Sequence, residues 1–298
     1  MGRYYGELLA KSGVDLSPVI IIPEQQTAFG LSCLPIYEQY LPGIMQEVRG
    51  LADGLGQRYE TVACWLFALY CFESDHGCSV FAVHSGEHTY FGRNMDMFPE
   101  YKKTSESVLY MPENQNIFLA HSTAMICVED GMNEHGLAAA LTFLLPKTVK
   151  PGINGGFLIR LILEECKTAE EAARLLQNIP ISSVHNIVVA DSMGEMFVAE
   201  CTAEQVSVRW CEKYTAATNH FITPEMQRYN AEDENWYQTR DRLATLESVL
   251  VDEHMTFDDI VQGICNEALE RKVELNEICN NRYGCFCDFY DIRSDYLF

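Results

Sequence analysis

The chain has 298 residues, 48% of them hydrophobic, which is ample material for one large core or for two smaller domains. Its formal charge of -22 and isoelectric point near 4.6 repel phosphate polyanions in the mean field, which argues against nucleic acid as a partner. The same field weighs against a bulky anionic acyl-CoA donor, unless Lys102, Lys103, Lys147 or Lys150 gather at a site mouth.

Residues 1–77 read as mainly helical. The opening Met1–Glu7 lacks the apolar run of a secretory signal, and no stretch of about 18 apolar residues follows anywhere, so the expectation is a cytoplasmic protein without a membrane partner. Residues 36–55 carry apolar positions at helical spacing, interrupted by Pro42-Gly43 and ending at Gly54-Leu55-Gly56. Residues 59–73 follow as a very apolar helix. After Gly77 the period becomes strand-like: residues 78–84 and 88–93 flank Ser85-Gly86-Glu87, which is hairpin chemistry. Further strands are expected at 108–111, 117–120, 124–128 and 137–144, with Asp130 to Gly136 as a turn between two of them. A helix at 156–166 and a capping box, Thr168-Ala169-Glu170-Glu171, opening a helix to Asn178 come next. Strands at 186–190, 195–201, 205–210 and 214–218 form a second run, before helices at 235–250 and 256–268 and a short strand at 285–290. Runs of strands separated by runs of helices point to stacked layers, an α+β arrangement, rather than an alternating parallel sheet.

Twelve cysteines are scattered along the chain and read as reduced thiols, most of them small core hydrophobes. Cys78 differs in its neighbours. Gly77-Cys78-Ser79-Val80-Phe81-Ala82-Val83 and Gly92-Arg93-Asn94-Met95-Asp96 place a thiol, a guanidinium and a carboxylate on one predicted hairpin. A thiol after Gly meets almost no steric barrier to attack on the preceding carbonyl, so cleavage at Gly77-Cys78 would leave an N-terminal Cys78 that carries its own base, the α-amine. The bland alternative for a buried cysteine opening a strand is packing. Arg93 with Asp96 reads equally as a local ion pair, and Asn219 as a turn or cap residue.

With these residues the chain resembles the N-terminal-nucleophile (Ntn) amidases of the choloylglycine hydrolase and acyl-CoA:6-aminopenicillanic acid acyltransferase group. The landmarks fall in order: the segment Gln46 to Gly56, then Gly92 to Asp96, Asp130 to Leu137, Thr218-Asn219 and Thr239-Arg240. The resemblance implies a four-layer αββα sandwich of two antiparallel sheets between helical layers, forming one globular domain. It implies a helical pro-segment over 1–77 that stays associated after cleavage, and a catalytic core over 78–298. It gives Asp96 the task of orienting the Cys78 amine, Arg93 and Arg240 that of holding the thiolate and surrounding charges, and Asn219 that of donating to the oxyanion. Arg242 is the competitor for the place of Arg240. Thr142 stands where bile-salt hydrolases commonly carry an oxyanion-hole Asn, and 77 residues precede the nucleophile, so a bile-salt substrate is the second choice behind a linear N-acyl amide, penicillin-like compound or thioester. No metal or organic cofactor is implied, and a homo-oligomer is compatible with the chain. Two other readings stand beside this one: a Cys-His hydrolase pairing Cys78 with His220, and a non-catalytic metal site from Cys71, His76 and Cys78, or from Cys279, Cys285 and Cys287.

Overall fold

The change of period at Gly77 marks a change of architecture. The computed structural model describes residues 1–13, 16–72, 77–97, 105–231, 235–251 and 284–292. Before Gly77 lie α1 (Gly2–Lys11), α2 (Ser17–Ile20), α3 (Glu24–Tyr40), α4 (Pro42–Leu55) and α5 (Tyr59–Ala68). Pro42 separates α3 from α4: a proline lacks the N–H that a helix interior needs, yet suits the first position of a new helix.

After Gly77 come β1 (Gly77–Ser85), β2 (His88–Met97), β3 (Glu106–Tyr110), β4 (Phe118–Ser122), β5 (Asp130–Asn133) and β6 (Ala138–Phe143). Two helices follow, α6 (Gly155–Glu165) and α7 (Ala169–Asn178), then β7 (His185–Ala190), β8 (Met196–Cys201), β9 (Val206–Cys211), β10 (Tyr214–Ala217), α8 (Thr239–Leu250) and β11 (Gly284–Ile292). The strands form two sheets with antiparallel pairing, ordered β10-β1-β2-β11 and β3-β4-β5-β6-β7-β8-β9.

Strand alternation builds the cores between layers. Val80, Ala82 and Phe91 of the smaller sheet meet Ala138, Ala140, Val188, Ala190, Met196 and Val198 of the larger one. On its other face the smaller sheet buries Phe81, Val83, Tyr90 and Ala216 against Leu243, Leu246 and Leu250 of α8. The far face of the larger sheet joins α6, α7 and the N-terminal helices in the largest core. The layers therefore run helix, sheet, sheet, helix, the αββα order that the resemblance implies. Among the described residues no helix is long and apolar enough to cross a membrane.

Specific contacts tie the N-terminal helices to the rest. Tyr37 stacks on Phe67 at 3.7 Å between ring centres, and Phe157 of α6 meets Tyr37 edge-on. Asn154 caps α6 by accepting from the Phe157 N–H at 3.1 Å, and its Nδ2 donates to the Leu66 carbonyl of α5 at 2.7 Å. Arg160 of α6 donates to Glu47 of α4 and to Glu164, with its guanidinium over the Tyr110 ring. Tyr5 donates to Glu106 on β3.

The elements expected between 124 and 136 differ, and the helix expected over 59–73 ends at Ala68. Residues 124–128 are apolar and largely buried but form a tight loop, because Met125 takes a left-handed φ of 60° and the Ser122 hydroxyl bonds Ala124 N–H and the Cys127 carbonyl. The strand resumes at Asp130, so the expected turn begins with β5 instead. The helix expected at 256–268 lies outside the described residues.

Candidate active site

The β1–β2 hairpin sets the geometry. Its register pairs Gly77 with Asp96, Cys78 with Met95 and Val80 with Arg93. Alternation then puts Cys78 and Arg93 on the face toward the seven-stranded sheet, and Ser79 and Asp96 on the face toward α8. Cys78 is fully buried, but its surroundings are polar. Arg93 Nη2 donates to its sulfur at 3.4 Å, the Phe143 N–H is directed at the same atom, and the Cys78 N–H donates to Asn219 Oδ1 at 3.0 Å. Burial pushes the thiol above its ordinary value, Arg93 pulls it down, and Asp96 adds to the rise. The neutral thiol therefore needs a base before it can attack.

Arg93 is held on all sides. Its Nε donates to the Leu141 carbonyl at 3.1 Å and its Nη1 to Asp130 Oδ2 at 3.1 Å, with Glu129 Oε2 at 3.7 Å. Burial alone would lower its pKa, but Cys78, Asp130 and Glu129 outweigh that and leave it above the usual arginine value. Glu129 in turn accepts at Oε1 from Tyr70 at 2.5 Å and Thr123 at 2.8 Å.

From the α8 side, Arg242 grips the backbone around Cys78. Its Nη1 donates to the Cys78 carbonyl at 2.6 Å and to Ser79 Oγ at 2.7 Å, while Nη2 donates to Asn219 Oδ1. Its Nε donates to the Tyr237 carbonyl, and Asp96 Oδ2 lies 3.9 Å from Nη1. Arg240, expected in this place, is exposed. Residues two positions apart on a helix are separated by about 200° around the axis, so Arg240 and Arg242 point to opposite sides of α8.

Asp96 accepts from Asn94 Nδ2 at 2.8 Å. A Cβ on Gly77 would stand 3.2 Å from Asp96 Oδ2, 3.4 Å from Arg242 Nη2 and 3.5 Å from Tyr237 Cβ. These distances place the carboxylate beside the Gly77-Cys78 bond.

Asn219 is fixed from several directions. Its Nδ2 donates to the Phe143 carbonyl at 2.6 Å and its backbone N–H to Thr239 Oγ1 at 2.7 Å. In the intact chain its amide thus presents an acceptor to Cys78, and its donor is engaged with Phe143. Thr142 does not meet the sulfur; its hydroxyl donates to the Thr218 carbonyl, which also accepts from Asn186, so it braces the loop carrying Asn219. His220 turns Nδ1 to Thr239 Oγ1 at 2.8 Å, and burial, then Arg240 and Arg242, lower its pKa to about 4. This orientation does not pair it with Cys78.

Cys78, Arg93, Asp96 and Asn219 therefore converge, whereas Arg240 and Thr142 stand apart from the sulfur. Sequence reasoning gave no role to Glu129, Phe143 or Tyr70, and it took Asp130 for architecture. Each alternative metal set contains a residue outside the described ones, His76 or Cys279. Among the described residues no cluster of three or more His, Cys, Asp or Glu side chains is arranged to hold a metal ion.

Comparison with known proteins adds the following. A family model described as acyl-coenzyme A:6-aminopenicillanic acid acyl-transferase matches residues 83–272. No curated protein sequence matches the chain. Among solved structures, a Caenorhabditis elegans N-acylethanolamine-hydrolyzing acid amidase ortholog is similar with a TM-score of 0.50 and 16% identity, over 70% of this chain and 92% of that one. Penicillin V acylase from Agrobacterium tumefaciens gives 0.43 and 15%, over 63% and 71%. A mutant conjugated bile acid hydrolase from Clostridium perfringens gives 0.46 and 17%, over 63% and 78%.

Proposed function

Because the chain belongs to the acyl-coenzyme A:6-aminopenicillanic acid acyl-transferase family, we propose that it is a self-processing cysteine amidase or acyltransferase acting on linear amide bonds. The observation that carries this reading is the placement of Cys78. Its sulfur lies 3.4 Å from a buried guanidinium, and its own nitrogen is held 3.0 Å from Asn219 Oδ1.

Processing proceeds by attack of the Cys78 sulfur on the Gly77 carbonyl carbon. The S–C bond forms, the C–N bond breaks, and the thiol proton ends on the freed nitrogen. Water then hydrolyses the thioester, releasing the Gly77 carboxylate and restoring the thiol. The new amine stays where the amide nitrogen was, against Asn219 Oδ1 and close to Asp96, so it is oriented to accept the thiol proton. An acyl amide substrate next transfers its acyl group to sulfur and leaves as an amine. Water or a second amine releases the acyl group. The Phe143 N–H at the sulfur is a backbone donor near the developing oxyanion, and Arg93 supplies positive charge beside the thiolate.

The substrate class is a small N-acyl amide or penicillin-like compound, and the division into segment 1–77 and core 78–298 follows from the cleavage. Intact-mass analysis of wild type and Cys78→Ala, together with hydrolysis of a panel of acyl amides, tests the reading. Wild type yields two chains and turnover; Cys78→Ala yields one chain and none. An uncleaved wild type whose activity, or lack of it, is matched by Cys78→Ala removes the reading.

A further inference from the structure

We propose that Tyr70, on the segment before the cleavage point, is a positioning residue of the working site, acting through Glu129 on Arg93. The proposal rests on the reading of Cys78 as nucleophile.

Three independent observations converge on Tyr70. Its hydroxyl donates to Glu129 Oε1 at 2.5 Å, and Thr123 donates to the same oxygen, so Oε2 is the oxygen left toward Arg93 Nη1. Its backbone takes a left-handed φ of 60°, which a bulky side chain adopts only when the surroundings hold it there. Gly156 opens the space for its ring, since a Cβ there would come within 3.1 Å of Tyr70 Cε2 and 2.2 Å of the Cys127 sulfur. The chain thus accepts a strained backbone and a glycine in the first turn of α6, and the result is one phenol set against one buried carboxylate. Burial, then the Glu129 charge, keep that phenol protonated, so it acts as a donor throughout the neutral range.

The consequence is geometric. Glu129 and Asp130 share the Arg93 Nη1 edge, leaving Nη2 for the Cys78 sulfur. Without the Tyr70 donor, Glu129 turns further toward Arg93 and draws the guanidinium off the thiolate. The segment before Gly77 thereby contributes a side chain to the site after the chain is cut, seven residues upstream of the bond that breaks.

The test compares full-length wild type with Tyr70→Phe. Alkylation of Cys78 by iodoacetamide is followed across pH by mass spectrometry of the Cys78 peptide, alongside kcat and KM for an amide that wild type cleaves. The expected result is a shift of the alkylation midpoint to higher pH, with kcat down about tenfold and KM within twofold. An unchanged midpoint and unchanged kcat overturn the proposal while leaving the nucleophile assignment intact; full activity in Cys78→Ala would instead remove that assignment. If Tyr70→Phe does not fold, genetically encoded 3-fluorotyrosine at position 70 keeps the shape and makes the hydroxyl more acidic. A midpoint shifted to lower pH, as a stronger donor to Glu129 requires, supports the proposal, and an unshifted one overturns it.

Discussion

Arg242 and Arg240 carry the same charge two positions apart, yet only one of them forks across the Cys78 carbonyl, Ser79 and Asn219. A planar guanidinium meets these acceptors together; an ammonium on a flexible stem cannot span them. Arg242→Lys is expected to lower kcat at least tenfold and to slow appearance of the two cleaved chains on a denaturing gel. Arg240→Lys should stay within twofold of wild type in both assays. Sequence spacing alone could not choose between them. The choice depends on where α8 starts, and Tyr237 and Gln238, at φ of 54° and 51°, delay its start to Thr239 instead of the expected 235. Cys78, Arg93 and Asp96 were legible because a hairpin register follows directly from a short turn. Glu129 and Tyr70 were not, because they reach Arg93 through another strand and through a backbone kink that no periodicity reports.

At the level of elements, α6 is the hub. Its cap residue Asn154 also bonds α5, and its Arg160 bonds α4, so one helix supports the larger sheet and grips the N-terminal helices. Asn154→Ala removes a cap worth about 1 kcal/mol and leaves the buried Leu66 carbonyl without this donor, at a further cost of about 1–3 kcal/mol. A urea midpoint lowered by an amount matching roughly 2–4 kcal/mol, with an unchanged slope, is the expected outcome. The helical layers and both runs of strands were readable from period and turn chemistry. The stretch 124–128 was misread as a strand because its apolar residues are buried in a loop, and burial without regular pairing leaves the same hydrophobic signature.

For the whole molecule, buried histidines set the acid limit. His185 is fully buried, neither of its ring nitrogens has a hydrogen-bond partner among the described residues, and burial lowers its pKa to about 3. The unfolded chain takes up this proton near pH 6.5 while the folded chain resists it. Stability is therefore fully present above about pH 6.5 and declines as pH falls toward 3, by on the order of 4 kcal/mol from this group. His220, lowered to about 4, acts in the same direction. Chemical denaturation at a series of pH values should show this slope, and His185→Phe should flatten it. A slope unchanged by that substitution would remove His185 as its source.

The strand that carries the proposed scission point begins at Gly77, so a break before Cys78 removes only the outermost rung of a nine-residue strand. Its pairing with β10, which starts at Val80, is untouched. The nicked particle then has the same outline as its precursor. Scattering curves and elution volumes would report the two as one species, and only a separation run in denaturant would count the pieces.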